Sequence, residues 1–356
     1  MVATRLNSIQ IMRGIAALIV VAFHIRYNLS VYEQKNLGDL MFSNGEVGVY
    51  LFFVISGFII SLSTRRKESP LEFSIKRLLR IYHPYIFSFA ILLFLLNENY
   101  RLMDVVKSLI LIPLNSHAAG PYYGYSILLV AWTLSYELFF YFCFLVSMSL
   151  SQKYRAVICS LILSSLIIFG NYYLFGSIGV NPHTRAFDGG GIFASIIFIT
   201  NPIIIINFIL GMLAEFIYSN TKTNNKLLNK AIKMLAPIVA VISVWGMLSP
   251  SMWMGEMQWA IPCFGLVTSL SLLEKSGVSF EFPSLVKIGA MSFSIYLIHP
   301  IIIELLSQKY FVVFWQDGFT KFSVIILITV FAARIMYETI EIPSQKLARK
   351  LISKIR

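Results

Sequence analysis

The sequence predicts an all-α polytopic membrane protein, a bundle of about ten transmembrane helices with both termini in the cytoplasm. Composition is the first observation behind this: 57% of the 356 residues are hydrophobic and 13% charged, against about 45–50% and about 25% in a soluble domain. The second is run length. Apolar runs near the roughly 20 residues that a helix needs to cross the hydrocarbon core lie at 8–28, 46–64, 82–97, 126–150, 156–175, 192–217, 234–249, 255–273, 288–306 and 320–340. The third is where the basic residues fall. With the N-terminus inside, 20 of the 29 Lys and Arg lie in cytoplasmic segments, seven in outer ones, and Arg13 and Arg334 within spans. Such an excess marks the cytoplasmic side.

The first run has no small-x-small cleavage site after it and reads as an uncleaved span. The second carries VISGFIIS (54–61), where Ser56-Gly57 allows close approach of a backbone or a ligand. VVKSLILIPL (105–114) is too short to span and reads as re-entrant or interfacial. The fourth run contains WTLSYE (132–137), and the ninth contains SIYLIHP (294–300) with Pro300 as an expected kink. Residues 1–345 form one membrane domain on this reading, and 346–356 a basic cytoplasmic tail. No internal repeat is visible.

Several function classes are disfavoured. The formal charge of +12 suits positive-inside topology better than nucleic acid, since no basic and aromatic residues alternate on a soluble platform. Cys143, Cys159 and Cys263 sit in apolar runs, with neither metal spacing nor a disulfide pattern. No metal is expected. There is no HExxH, CxxC or GxSxG, and GGG at 189–191 follows no strand.

The chemistry lies in the ionisable groups at membrane depth, each costing about 2.5–3.5 kcal/mol at the helix centre. MRGIAALIVVAFH (12–24) places Arg13 and His24 eleven positions apart. At about 100° per residue that is three turns plus about 20°, so both share one face, about 16 Å apart along the axis. Ala17 and Val20 lie between them and make the face small and open to a ligand or another helix. Arg13 also fits snorkelling to headgroups, and His24 fits an interfacial histidine. Glu137, deep in an apolar run, needs a facing cation to stay ionised; it is either a protonated structural carboxyl or the group that orients His24 in an acid–base dyad. By these boundaries Glu137 lies about 10 Å deeper than His24. Arg77 and Arg80 in KRLLR serve either topology or a bidentate phosphate clamp. Arg334 and Glu338, four apart, read as an intrahelical pair. His299 before Pro300 serves either the kink or a site, while His83, His117 and His183 show no partner.

Together these motifs resemble the integral-membrane acyltransferase family 3, bacterial O-acetyltransferases of surface polysaccharides and Nod factors. Arg13 and His24 match its R-x10-H signature, FFVISGFII (52–60) its SGF segment, and Arg77-Leu-Leu-Arg80 its R-x-x-R. WTLSYE is similar to its W-[ST]-L-x-x-E, and SFSIYLIHP to its S-x-Y-L-x-H. The five occur in the family's order along the whole chain. RIYHPY departs from the usual R-I-Y-P-x-Y, which puts the local loop shape in question.

The resemblance implies a multi-pass protein of the bacterial inner membrane that uses acyl-CoA, most often acetyl-CoA, as donor and a carbohydrate hydroxyl, free or lipid-linked, as acceptor. Membrane lipids are the remaining partners, and oligomeric state is not indicated. Some relatives carry an added periplasmic domain; this chain is expected to bind acceptor unaided or with a separate partner. Arg13, Arg77 and Arg80 would hold the donor's phosphates, with its pantetheine arm along Ala17 and Val20. His24, steadied by Glu137, would act as base or be acylated in turn. Ser56, Tyr296, His299 and Trp132 are candidate oxyanion or acceptor contacts. The same intramembrane charges would serve a transporter of a glycan or lipid-linked sugar, and a scaffold in polysaccharide assembly is a third reading. The outer loops 115–126 and 175–191 are rich in aromatic residues and glycine. That suits sugar stacking and equally suits ordinary connections.

Overall fold

A computed structural model describes residues 6–66, 68–96, 100–115, 117–118, 120–176, 202–249, 258–307 and 317–355. Among the described residues the structure is helical, without strands. Among these residues, seven helices are long and apolar enough to cross a membrane, or eight if one bent pair forms a single span. The chain is a polytopic membrane protein. The predicted spans 192–217 and 255–273 begin outside the described residues, as does most of the loop 175–191.

The chain divides into two compact units, Met1–Arg65 with Ile206–Tyr296 and Val312–Val330, and Arg66–Ile205 with Leu297–Phe311 and Phe331–Arg356. The first unit begins with α1 (Asn7–His24), α2 (Leu37–Phe42) and α3 (Val47–Ser63). No side chain of its own caps α1. Instead Glu274 accepts the Asn7 and Ser8 N–H groups at 2.8 and 2.9 Å and the Ser8 hydroxyl at 2.6 Å. A carboxylate there satisfies two orphan donors and complements the helix dipole.

The second unit contains α4 (Pro70–Leu96), α5 (Leu102–Leu109), α6 (Trp132–Leu150) and α7 (Arg155–Phe175). α4 starts twelve residues before the predicted span at 82. Ser69 accepts the Glu72 N–H at 3.1 Å and Pro70 opens the helix, so start signals ahead of the apolar run set its origin. The stretch 105–114, too short to span, is helical only to Leu109, where α5 ends.

α8 (Pro202–Asn220), whose residues from Ile206 onward belong to the first unit, precedes α9 (Lys226–Leu248), α10 (Ala260–Lys275) and α11 (Pro283–Ala290). α12 (Ser292–Ser307) follows α11 at a bend of 69°. The ninth predicted run is therefore broken at Met291, and Pro300 lies inside a helix that continues through it. α13 (Phe319–Met336) passes through a π-helical turn, Tyr337–Glu341, into α14 (Ile342–Ile355). Residues 346–355, read as a tail, belong to this last helix.

Two glycine contacts fix the first unit. A Cβ on Gly57 of α3 would lie 2.1 Å from Phe208 O, and one on Gly211 of α8 2.0 Å from Val54 O. The SGF glycine thus admits a helix backbone rather than a ligand. Where α1 meets α11, a Cβ on Gly289 would lie 1.8 Å from Gln10 O.

Candidate functional site

In the first unit, α1 carries Arg13 and His24, both partly buried. The strip between them is closed: Ala17 and Val20 are each 1% exposed. Gly48 of α3 sits so near that a Cβ there would lie 2.7 Å from Ala16 O and 2.8 Å from Val20 Cγ2. Of the two occupants expected for this small-residue strip, a ligand or another helix, it is the helix that fills it.

His24 Nδ1 lies 2.9 Å from Val20 O. A carbonyl only accepts, so in the neutral imidazole Nδ1 carries the proton and Nε2 the lone pair. The Phe23 ring meets the imidazole edge-on at 5.3 Å. The group that meets Nδ1 is a carbonyl one turn back on α1.

Gly45 meets Phe23 and Ile19 while Gly48 meets Val20 and Ala16, so α3 runs antiparallel to α1. Ser56, eight residues past Gly48, lies about 12 Å farther along the axis. That is the Arg13 end, away from His24. Tyr296, 7% exposed, packs edge-on against Phe52 at 6.0 Å. The sequence did not flag Glu215, which pairs with Arg65, or Lys275, which donates to the Tyr218 carbonyl.

In the second unit Glu137 accepts the Tyr141 hydroxyl, one turn on in α6. Arg80 interacts electrostatically with Tyr141, Glu137 and Glu341. Glu137 therefore lies within the electrostatic reach of a cation on α4. The Arg77 guanidinium lies 5.5 Å from the Phe73 ring centre and 5.4 Å from that of Tyr141. α4 and α6 thus bring Arg77, Arg80, Glu137 and Tyr141 into one group. Glu341, 3% exposed in the π-helical turn, joins it unforeseen. Its signal was a carboxyl one residue past the estimated end of the last span.

The unusual His83 is not in a loop. It lies within α4 with Nδ1 3.0 Å from Ser344 Oγ, which donates to Leu79 O at 2.7 Å. His299 is fully buried in α12. Trp132, 8% exposed, opens α6 edge-on to Tyr122 at 4.9 Å and to Tyr136 at 5.9 Å. Arg334 and Glu338 pair at 3.0 Å, both exposed. Among the described residues no cluster of His, Cys, Asp and Glu suits a metal ion.

The sequence profile of the acyltransferase domain family matches residues 6–338. The chain is also 31% identical over 151 residues to the exopolysaccharide production protein ExoZ of Rhizobium meliloti (strain 1021). That alignment takes in 40% of this chain and 47% of the relative, so the chain spans about half the length of the curated protein it matches. No solved structure matches.

Proposed function

The chain belongs to the integral-membrane acyltransferase family 3, and on that premise we propose that it moves an acyl group, acetyl by preference, from cytosolic acyl-CoA to a hydroxyl of a cell-surface or lipid-linked carbohydrate. The observation that carries the mechanism is the hydrogen bond from His24 Nδ1 to Val20 O. It aims an Nε2 lone pair away from the helix backbone, as a general base requires. His24 takes the proton of the acceptor hydroxyl as its oxygen attacks the thioester carbonyl. The tetrahedral intermediate collapses, the C–S bond breaks, and the CoA thiolate leaves with the proton from the imidazolium.

The donor's phosphates are assigned to Arg13, Arg77 and Arg80, because guanidinium forks match phosphate oxygens. Arg77 of the second unit's pair is set over two rings. Arg80 already interacts electrostatically with two carboxylates. Glu137 becomes a positioning residue for Arg80 on this reading, since His24 Nδ1 has its own partner. Ten spans with both termini in the cytoplasm, in the inner membrane of a bacterium, complete the proposal.

The test uses purified protein in nanodiscs with acetyl-CoA labelled in the acetyl group, with and without a lipid extract containing polysaccharide precursors. Transfer predicts release of CoA and label in carbohydrate. Movement of unlabelled glycan across the bilayer without CoA release would point to transport instead.

A further inference from the structure

The connection from α5 to α6 in the second unit is pinned at many points. Leu114 N–H donates to Tyr125 O at 3.2 Å and Asn115 N–H to Tyr123 O at 3.0 Å. The Tyr136 hydroxyl donates to Pro121 O at 3.1 Å, Ser135 Oγ to Leu111 O at 2.5 Å, and Lys107 Nζ to Leu114 O at 3.3 Å. Tyr123, Gly124 and Tyr125 follow one another in the left-handed region, with φ of 44°, 77° and 60°. Two tyrosines hold such angles only where surrounding contacts impose them, and strain of this kind concentrates at ligand sites. A Cβ on Gly124 would lie 2.6 Å from Asn115 Cβ, so glycine is required there.

This geometry yields a ring stack. Tyr122 and Tyr125 lie face to face at 4.8 Å with 18° between planes, and Trp132 supports Tyr122 edge-on. Tyr125, 37% exposed, is the outward member, while Trp132 and Tyr123 are buried. A fixed aromatic face flanked by phenols suits the C–H face of a pyranose ring, which needs flat apolar contact with hydroxyl partners at its rim. A nucleotide base would also stack, but the position disfavours it. Trp132 lies nine residues before Tyr141, about 14 Å along α6, so the stack and the Arg77-bearing end are at opposite ends of that stretch, with Glu137 between. Lys107, which bonds to the loop, is held by a loop carbonyl.

We infer that Tyr122 and Tyr125 form a stacking subsite for a sugar ring of the carbohydrate acceptor. The inference rests on the reading of the chain as a carbohydrate acyltransferase. Tyr125 then sets acceptor affinity without touching the reacting atoms.

The test compares wild type in nanodiscs with Tyr125→Ala, Tyr122→Ala and Tyr125→Phe. The probe is a set of oligosaccharides released by mild acid from the producing cell's own surface polysaccharide. KM for oligosaccharide, KM for acetyl-CoA and kcat are measured, together with oligosaccharide binding by calorimetry without donor. Expected is a rise of about tenfold or more in oligosaccharide KM and Kd for both alanine variants. Acetyl-CoA KM and kcat should stay near wild type, and Tyr125→Phe should restore affinity. If wild type binds oligosaccharide but transfers no label, and Tyr125→Ala loses the binding, the subsite stands and acyl transfer falls. The subsite is overturned if wild type does not bind the oligosaccharides or if Tyr125→Ala binds them equally. It is also overturned if both KM values and kcat change together, as a structural or membrane-anchoring role of the loop would produce.

Discussion

His24 and Arg80 show how differently two polar side chains in one membrane protein are used. The imidazole meets its own helix through the Nδ1 contact with Val20 O, a backbone partner that side-chain substitutions elsewhere leave in place. His24→Ala should therefore lower the transfer rate by about 10²–10⁴-fold, the usual worth of a general base, with donor binding and thermal stability near wild type. Arg80 interacts electrostatically with Glu137, Tyr141 and Glu341, and its loss removes a cation from near two carboxylates. Arg80→Met should cost about 1–3 kcal/mol, read as a lower unfolding midpoint in detergent. Combining it with Glu137→Gln should recover part of that loss, since residues sharing one network couple by about 0.5–3 kcal/mol. Additive losses would mean that the two groups do not interact. Arg13, His24 and Glu137 drew notice because ionisable groups stand out in apolar runs, and Arg77 and Arg80 because they sit in a basic cluster ahead of one. The partner of each did not. Val20 acts through its backbone oxygen, which any residue would supply, and Glu341 lies some 200 residues from Glu137.

At the scale of the helix, the caps and crossings follow from small residues and single carboxylates. Glu274 closes the N-terminus of α1 from another helix, so Glu274→Ala should cost about 0.5–2 kcal/mol without altering donor affinity. Gly57→Ala should do more harm. Its added Cβ would meet Phe208 O at 2.1 Å, so α3 and α8 must part, at or above the roughly 1–3 kcal/mol of an overpacked core. Thermal unfolding of the purified variants checks both. Hydropathy located most helices but not their ends. α4 reaches back to Pro70 because Ser69 and Pro70 start it before the apolar run, and α13 runs on through the π-helical turn into α14 although its side chains turn polar. The break between α11 and α12 had no proline to announce it. Gly289 sits in α11 just before it, where α1 passes close.

For the whole molecule, the apolar composition and the order of five motifs announced both the membrane bundle and the family, because both properties are spread along the chain. The division into two units was not legible, since each unit gathers segments far apart in sequence. The 20-to-7 distribution of basic residues predicts that cysteines added at either terminus react with a membrane-impermeant maleimide only after the cells are opened; labelling of intact cells would reverse the orientation. The central claim is acyl transfer with His24 as base. Its most direct test is CoA release from acetyl-CoA, followed in nanodiscs with acceptor extract for wild type and His24→Ala, with CoA binding measured on both. The expected result is equal binding and release by wild type alone. Equal release by His24→Ala, with label still reaching carbohydrate, would contradict it.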